Sequence, residues 1–238
     1  MPVPPINSSQ PANVPNPSQD AQNQVNLIES YLSELQALAL DQAQGTDESS
    51  AMKTIYQELE GATAALAQDG KSGTGLSADS QSLINSFENL QIPNPSTPLP
   101  QFLMELNQSA GYISVLNDTL KQPPSTPATN PQLLNAQVQT ATLSYVATTI
   151  QDLLSLKPPA TQTYFQDQII ALGLSLTNQL SMDKGALTTQ QNDFVSQITT
   201  LMNDMAANCQ AGKFNTDNIQ SELTDLSPLI EDLQSSFG

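Results

Sequence analysis

The stretch VNLIESYLSELQALA, residues 25–39, places apolar side chains at Val25, Ile28, Leu32, Leu35 and Ala39. Steps of three and four residues return to one face of a helix with 3.6 residues per turn, and most positions between them are polar. The stretch therefore reads as an amphipathic α-helix that needs an apolar neighbour. Working outward, the same spacing recurs along the chain: Met52, Ile55, Leu59, Ala62 and Leu66, then Leu76, Leu83, Phe87 and Leu90, then Leu99, Leu103, Leu106, Ala110, Ile113 and Leu120. Beyond residue 130, Leu134, Val138, Ala141 and Tyr145 are flanked by a second stripe of Leu143, Val146, Ile150 and Leu153. Phe165, Ile169, Leu172, Leu176 and Leu180 follow, then Phe194, Ile198, Leu201, Met205 and Cys209. The last stripe is Ile219, Leu223, Leu226, Ile230, Leu233 and Phe237. No stretch alternates with a period of two, so the expectation is an all-α chain: an elongated antiparallel bundle of seven or eight amphipathic helices.

Proline marks the boundaries, because it removes a backbone donor and clashes with the preceding turn. Six of the 17 prolines lie in residues 1–17, ten more cluster at 93–100, 123–131 and 158–159, and Pro228 alone interrupts a helical pattern. Thr97-Pro98 and Asn130-Pro131 each put a capping residue before a proline. Thr46 and Ser77 are further caps, and Gly45, Gly70, Gly185 and Gly212 are placed to end helices. The division expected is a disordered tail over 1–19, a helical half over 20–121, a Pro-rich linker over 122–130 (QPPSTPATN) and a second helical half over 131–238. Two packed four-helix units fit that division.

Composition excludes more than it assigns. The six basic residues are all lysine and oppose 23 carboxylates, for a net charge of −17. Nucleic-acid affinity rests largely on cations that neutralise phosphate, so nucleic acid is not an expected partner, and anionic membranes are disfavoured for the same reason. Histidine is absent, which removes imidazole-based nucleophile pairs and zinc ligands. Cys209, the single cysteine, excludes an internal disulfide and a multi-thiolate site. No catalytic, cofactor-binding or metal residues are expected, and no cofactor. Gln, Asn, Ser and Thr supply 92 of 238 residues, so the surface is polar but weakly charged, which leaves self-association open.

Few motifs suggest chemistry. Gly70-Lys71-Ser72 matches the end of a phosphate loop, but Ala65 stands where that loop needs glycine, and the preceding residues are helical. Ser181 and Lys184 have the S-x-x-K spacing of penicillin-recognising enzymes, without the companion elements. Asp47-Glu48, Glu58/Glu60 and Glu231-Asp232 read as solvated helix faces. Asn7, Asn107 and Asn117 begin formal glycosylation sequons. The chain opens Met1-Pro2-Val3-Pro4-Pro5 without a basic or apolar stretch, so a Sec-type leader is not expected, and no run has the roughly 18 apolar residues of a membrane span.

The first 19 residues are uncharged and rich in Pro, Asn and Ser. In that respect, and in its helical plan, the chain is similar to substrates of type III secretion systems: tip, filament, translocator and effector proteins. The resemblance is one of composition and includes no diagnostic motif. It implies a non-enzymatic, secreted or surface-delivered interaction protein. A self-assembling structural or filament subunit is the alternative, and a cytosolic scaffold or adaptor the third reading. The seam Ile219, Leu223, Leu226, Ile230, Leu233 and Phe237 is the candidate surface for a partner helix, with a second copy of the chain among the candidate partners. Its other reading is closure of the bundle, with Pro228 able to divide the two roles.

Overall fold

A computed structural model describes residues 17–73, 75–90, 92–156, 170–209 and 214–237. These residues form eight α-helices and no strand: α1 (Pro17–Ala43), α2 (Ser49–Ser72), α3 (Ala78–Glu88), α4 (Leu99–Leu120), α5 (Pro131–Leu154), α6 (Ile170–Met182), α7 (Thr189–Asn208) and α8 (Thr216–Ser235). The principal contacts close two rings. α1 packs on α2 and α4, and α3 completes that ring by touching the same two helices. α5 packs on α6 and α8, and α7 closes the second ring against them. The rings meet along α4 and α5, which run antiparallel: Asn107 bonds Thr149, and Gly111 lies against Thr142. At 27 residues, α1 is about 40 Å long.

Most of each stripe that the sequence advertises is buried, with Ile55, Leu90, Leu99 and Tyr145 only partly so. Val25, Ile28, Leu32, Leu35 and Ala39 are at most 3 % exposed. Both stripes of α5 are buried apart from the half-buried Tyr145, because this helix touches α4, α6 and α8. A helix surrounded on three sides must also bury polar positions. Thr140 and Thr142 satisfy their hydroxyls on the carbonyls of Ala136 and Val138, at 2.8 and 2.9 Å, and Thr149 donates to Asn107 Oδ1 at 2.8 Å. In α7 Ile198, Met205 and Cys209 are buried as read, but Val195 and Met202 are fully buried where Phe194 and Leu201 are only partly so. Met202 occupies the space left by the missing side chain of Gly173, its Sδ 3.3 Å from where a Cβ would stand. Phe165 and Ile169 lie outside the described residues.

The capping chemistry is borne out in part. Ser77 accepts from Ser80 N at 3.1 Å, and Asn130 accepts from Gln132 N at 2.9 Å. Thr188 and Gln191 form a reciprocal capping box on α7. Five expectations need correction, that of Gly185 among them. α1 begins at Pro17, so residues 17–19 belong to its first turn rather than to a tail, and residues 1–16 lie outside the described part. α2 begins at Ser49, where Asp47 rather than Thr46 accepts the free N–H. α4 begins after Pro98, one residue later than the Thr97-Pro98 reading, while Thr97 bonds Asn94. Gly70 is buried inside α2 against Ile84, and Gly73, at φ +62°, is the left-handed residue that ends the helix. Gly45 takes its expected role at φ +99°, Gly185 has no positive φ, and Gly212 is outside the described residues.

The Pro-rich connection between α4 and α5 is held down at its end. Asp79, 4 % exposed in the first turn of α3, accepts the backbone N–H of Thr129 at 2.9 Å and also the Thr129 hydroxyl. Beside it, Ser77, Ser80 and Thr119 form a buried hydroxyl chain from α3 to α4. Asp79→Ala leaves the Thr129 donors without their acceptor, so it is expected to destabilise the chain by about 1–3 kcal/mol. Denaturant unfolding checks this, and an unchanged midpoint would mean that water replaces the carboxylate at no loss.

Candidate interaction site

The α8 seam is covered within the chain. Ile219, Leu223, Leu226, Ile230 and Leu233 are at most 3 % exposed, in a helix packed on α5 and α7, and Phe237 is half-buried at its end. α8 runs unbroken through Pro228. Both Pro228 and Thr224, whose carbonyl loses its partner to the proline, face solvent.

A marked depression lies on the other side of α5. It measures about 450 Å³ and opens between α1 and α5, with α4 beneath. Leu32, Leu106, Ala110 and Ile113 make an apolar floor. Small residues, Ser33 and Ala37 on α1, and Thr148 on α5 line the walls and leave the space between them unfilled. Gln36 Nε2 ties the walls together below, donating to Thr149 Oγ1 at 3.1 Å. Thr148 also borders a smaller depression between α5 and α8, of about 210 Å³, which contains Glu231. A third of about 400 Å³ follows α4 and α5 toward Phe237. The exposed face of α4 and α5 is thus a trough bounded by α1 and α8.

Its electrostatics are one-sided. Glu29 and Asp152 line the main depression, and no lysine does so among the described residues. Burial holds the Asp152 carboxyl above its usual range. Burial first, and then the charge of Glu29, raise the Tyr145 phenol, while a bond with Ser114 partly offsets them. No helix among the described residues is long and apolar enough to cross a membrane.

Elsewhere the candidate chemistry is dispersed. Gly70-Lys71-Ser72 is the last turn of α2, and Lys71 pairs with Glu88 at 2.7 Å on the surface. Ser181 lies in the final turn of α6, with Lys184 exposed in the turn that follows. Asn107 and Ser109 are buried on α4, and Asn117 accepts from Gln22 at 2.7 Å, so neither described sequon is presented in an exposed loop. Cys209 is buried, and its thiol is pushed up to about 12 by desolvation and then by Glu222. It stays protonated, and unreactive, near neutrality. No group of three or more Cys, Asp or Glu is placed to hold a metal among the described residues.

Burial also raises Asp69 and Glu222, with the charges of Asp20 and Asp204 adding respectively. The exposed Asp47 shifts the other way, through its bonds from Ser49. A raised folded-state pKa means the folded chain binds more protons than the unfolded one above the ordinary carboxylate range. Stability therefore falls as pH rises through that window and grows on acidification toward it. The net charge of −17 acts in the same direction through self-repulsion. Tm is expected to be higher at about pH 5 than at about pH 7 in low salt. A lower Tm at the acid value would show that favourable carboxylate contacts dominate instead.

Sequence reasoning missed the trough because its residues come from three helices far apart in the chain. Glu29 and Gln36, seven residues apart beside a core stripe, read as an ordinary solvated flank. Only the paired small residues Ser33 and Ala37 hinted that the surface there is hollow. No protein-family model, curated protein or solved structure matches this chain.

Proposed function

We propose that the chain is a non-enzymatic helical interaction protein whose partner-binding face is the trough over α4 and α5. The observation that carries this reading is a deep, apolar-floored groove whose lining pairs no nucleophile with a base. The histidine-free composition supports it further. The α8 seam is already occupied by α5 and α7, which favours a partner at the trough over helix exchange through α8. Surface photocrosslinking in the source cells tests the reading. Crosslinks to a protein are expected from positions in the trough, and their absence from every face would defeat it.

Delivery out of a bacterial cell is the second element of the proposal. It rests on the uncharged, Pro/Asn/Ser-rich composition of residues 1–19. A reporter carrying Met1–Gln19 is expected in the medium of a secretion-competent host. Retention inside the cell would leave a cytosolic scaffold or adaptor. Self-assembly, the structural-subunit alternative, predicts mass that grows with concentration in light scattering, and a monomer at high concentration excludes it.

A further inference from the structure

We infer that the trough takes a cationic amphipathic α-helix from a partner protein, seated between α1 and α5 with its lysines or arginines against Glu29 and Asp152. This rests on the interaction reading above and adds the chemistry of the partner. The first support is geometric. α1 and α5 both flank α4 and run antiparallel to it, as Gln22–Asn117 and Asn107–Thr149 show, so they are parallel to each other. The groove therefore runs between two parallel helices, along α4. Ser33 and Ala37 on one wall stand at i and i+4, the spacing of a ridge, and their small size leaves room for the ridge of an incoming helix. Leu32, Leu106, Ala110 and Ile113 close the floor, nearly buried, and the half-buried Leu40 and Tyr145 offer that helix apolar surface.

Charge selects the occupant. Glu29 and Asp152 stand toward opposite ends of the depression and lack a cationic partner there among the described residues. Gln36 is level with Thr149, which puts the two carboxylates about 10–15 Å apart along the groove, or two to three helical turns. A partner helix with cations at i and i+7 or i+11 meets both on one face. Asp152 is half-buried and Glu29 exposed; covering either carboxylate is unfavourable unless a cation arrives with the partner, so neutral or acidic helices are selected against. A second copy of this chain is disfavoured for the same reason, since it brings its own charge of −17.

The test uses a fluorescent peptide of about 18 residues with a Leu/Ala stripe and lysines at i and i+11, titrated with the full chain and followed by anisotropy. Saturable, salt-sensitive binding is expected. It should weaken about tenfold with Glu29→Lys/Asp152→Lys, and as much with Ala37→Phe, which fills the groove from an exposed position. Glu58→Lys on the outer face of α2 should leave it unchanged. Equal binding by all variants, or by a peptide with glutamates in place of the lysines, overturns the inference. Binding of dodecanol that Ala37→Phe abolishes, with no peptide binding, overturns it in favour of a small apolar ligand. A photocrosslinker at Ala37 separates the two levels of the proposal. Crosslinks only from positions outside the trough defeat this docking site and leave an interaction protein, whereas none from any face defeats both.

Discussion

Gly111→Leu is expected to cost about 3 kcal/mol or more and to loosen the joint between the two helical rings. A Cβ at Gly111 would stand 2.8 Å from the backbone N of Thr142 and 2.9 Å from its Cα, and would also strike the Thr142 hydroxyl. Backbone atoms cannot rotate aside as a side chain can. α4 and α5 would have to part, which strains the Asn107–Thr149 bond at 2.8 Å and the packing that joins the rings. In a domain of this size the loss corresponds to a fall in Tm of about 6–12 °C. Gly61→Ala is the control: Gly61 is exposed in α2 with nothing within 4 Å of its added Cβ. There the better helix former is expected to stabilise by about 0.5–1 kcal/mol. Chemical denaturation of both variants checks the pair. A Gly111→Leu midpoint equal to the parent's would show that α4 and α5 do not pack as closely as described.

The second large effect is expected at Phe102, which is 0 % exposed and the largest fully buried side chain among the described residues. It sits in the first turn of α4, where Pro98 supplies no side-chain cap and the Phe102 N–H closes the first bond on the Pro98 carbonyl at 2.9 Å. Packing of this ring therefore fixes a helix start that lacks capping chemistry. Phe102→Ala removes the ring and leaves a cavity too well walled to collapse fully, for a loss of about 3–5 kcal/mol. The half-buried Phe237, at the end of α8, should lose much less on the same change. Equal effects at the two positions would mean that the start of α4 is not anchored as the structure places it.

The helices themselves were legible because a 3.6-residue period is a local property. Any chain that repeats apolar residues at three and four must bury that face or leave it in water. The stripe from Val25 to Ala39 and the seam from Ile219 to Leu233 are buried as read. Where two apolar residues are adjacent, the local rule loses its power. Phe194-Val195 and Leu201-Met202 allow two phases for α7, and the choice fell to Met202 because Gly173 on α6 leaves it a space. Glycine was ambiguous in the same way. Gly70 and Gly73 look alike in the sequence, yet Gly70 serves by making room for Ile84, and Gly73 by adopting a left-handed turn.

Sequence by itself determined the class and the acidic, histidine-free composition, since each follows from which residues are near in the chain or merely present. The tertiary structure alone decided which helices are neighbours, and so where a hollow remains. A groove exists only where three helices bring small side chains and an apolar floor together, and that distance relation is written in no single stretch of the chain. Glu29 and Asp152 became a pair when α1 and α5 took their places beside α4.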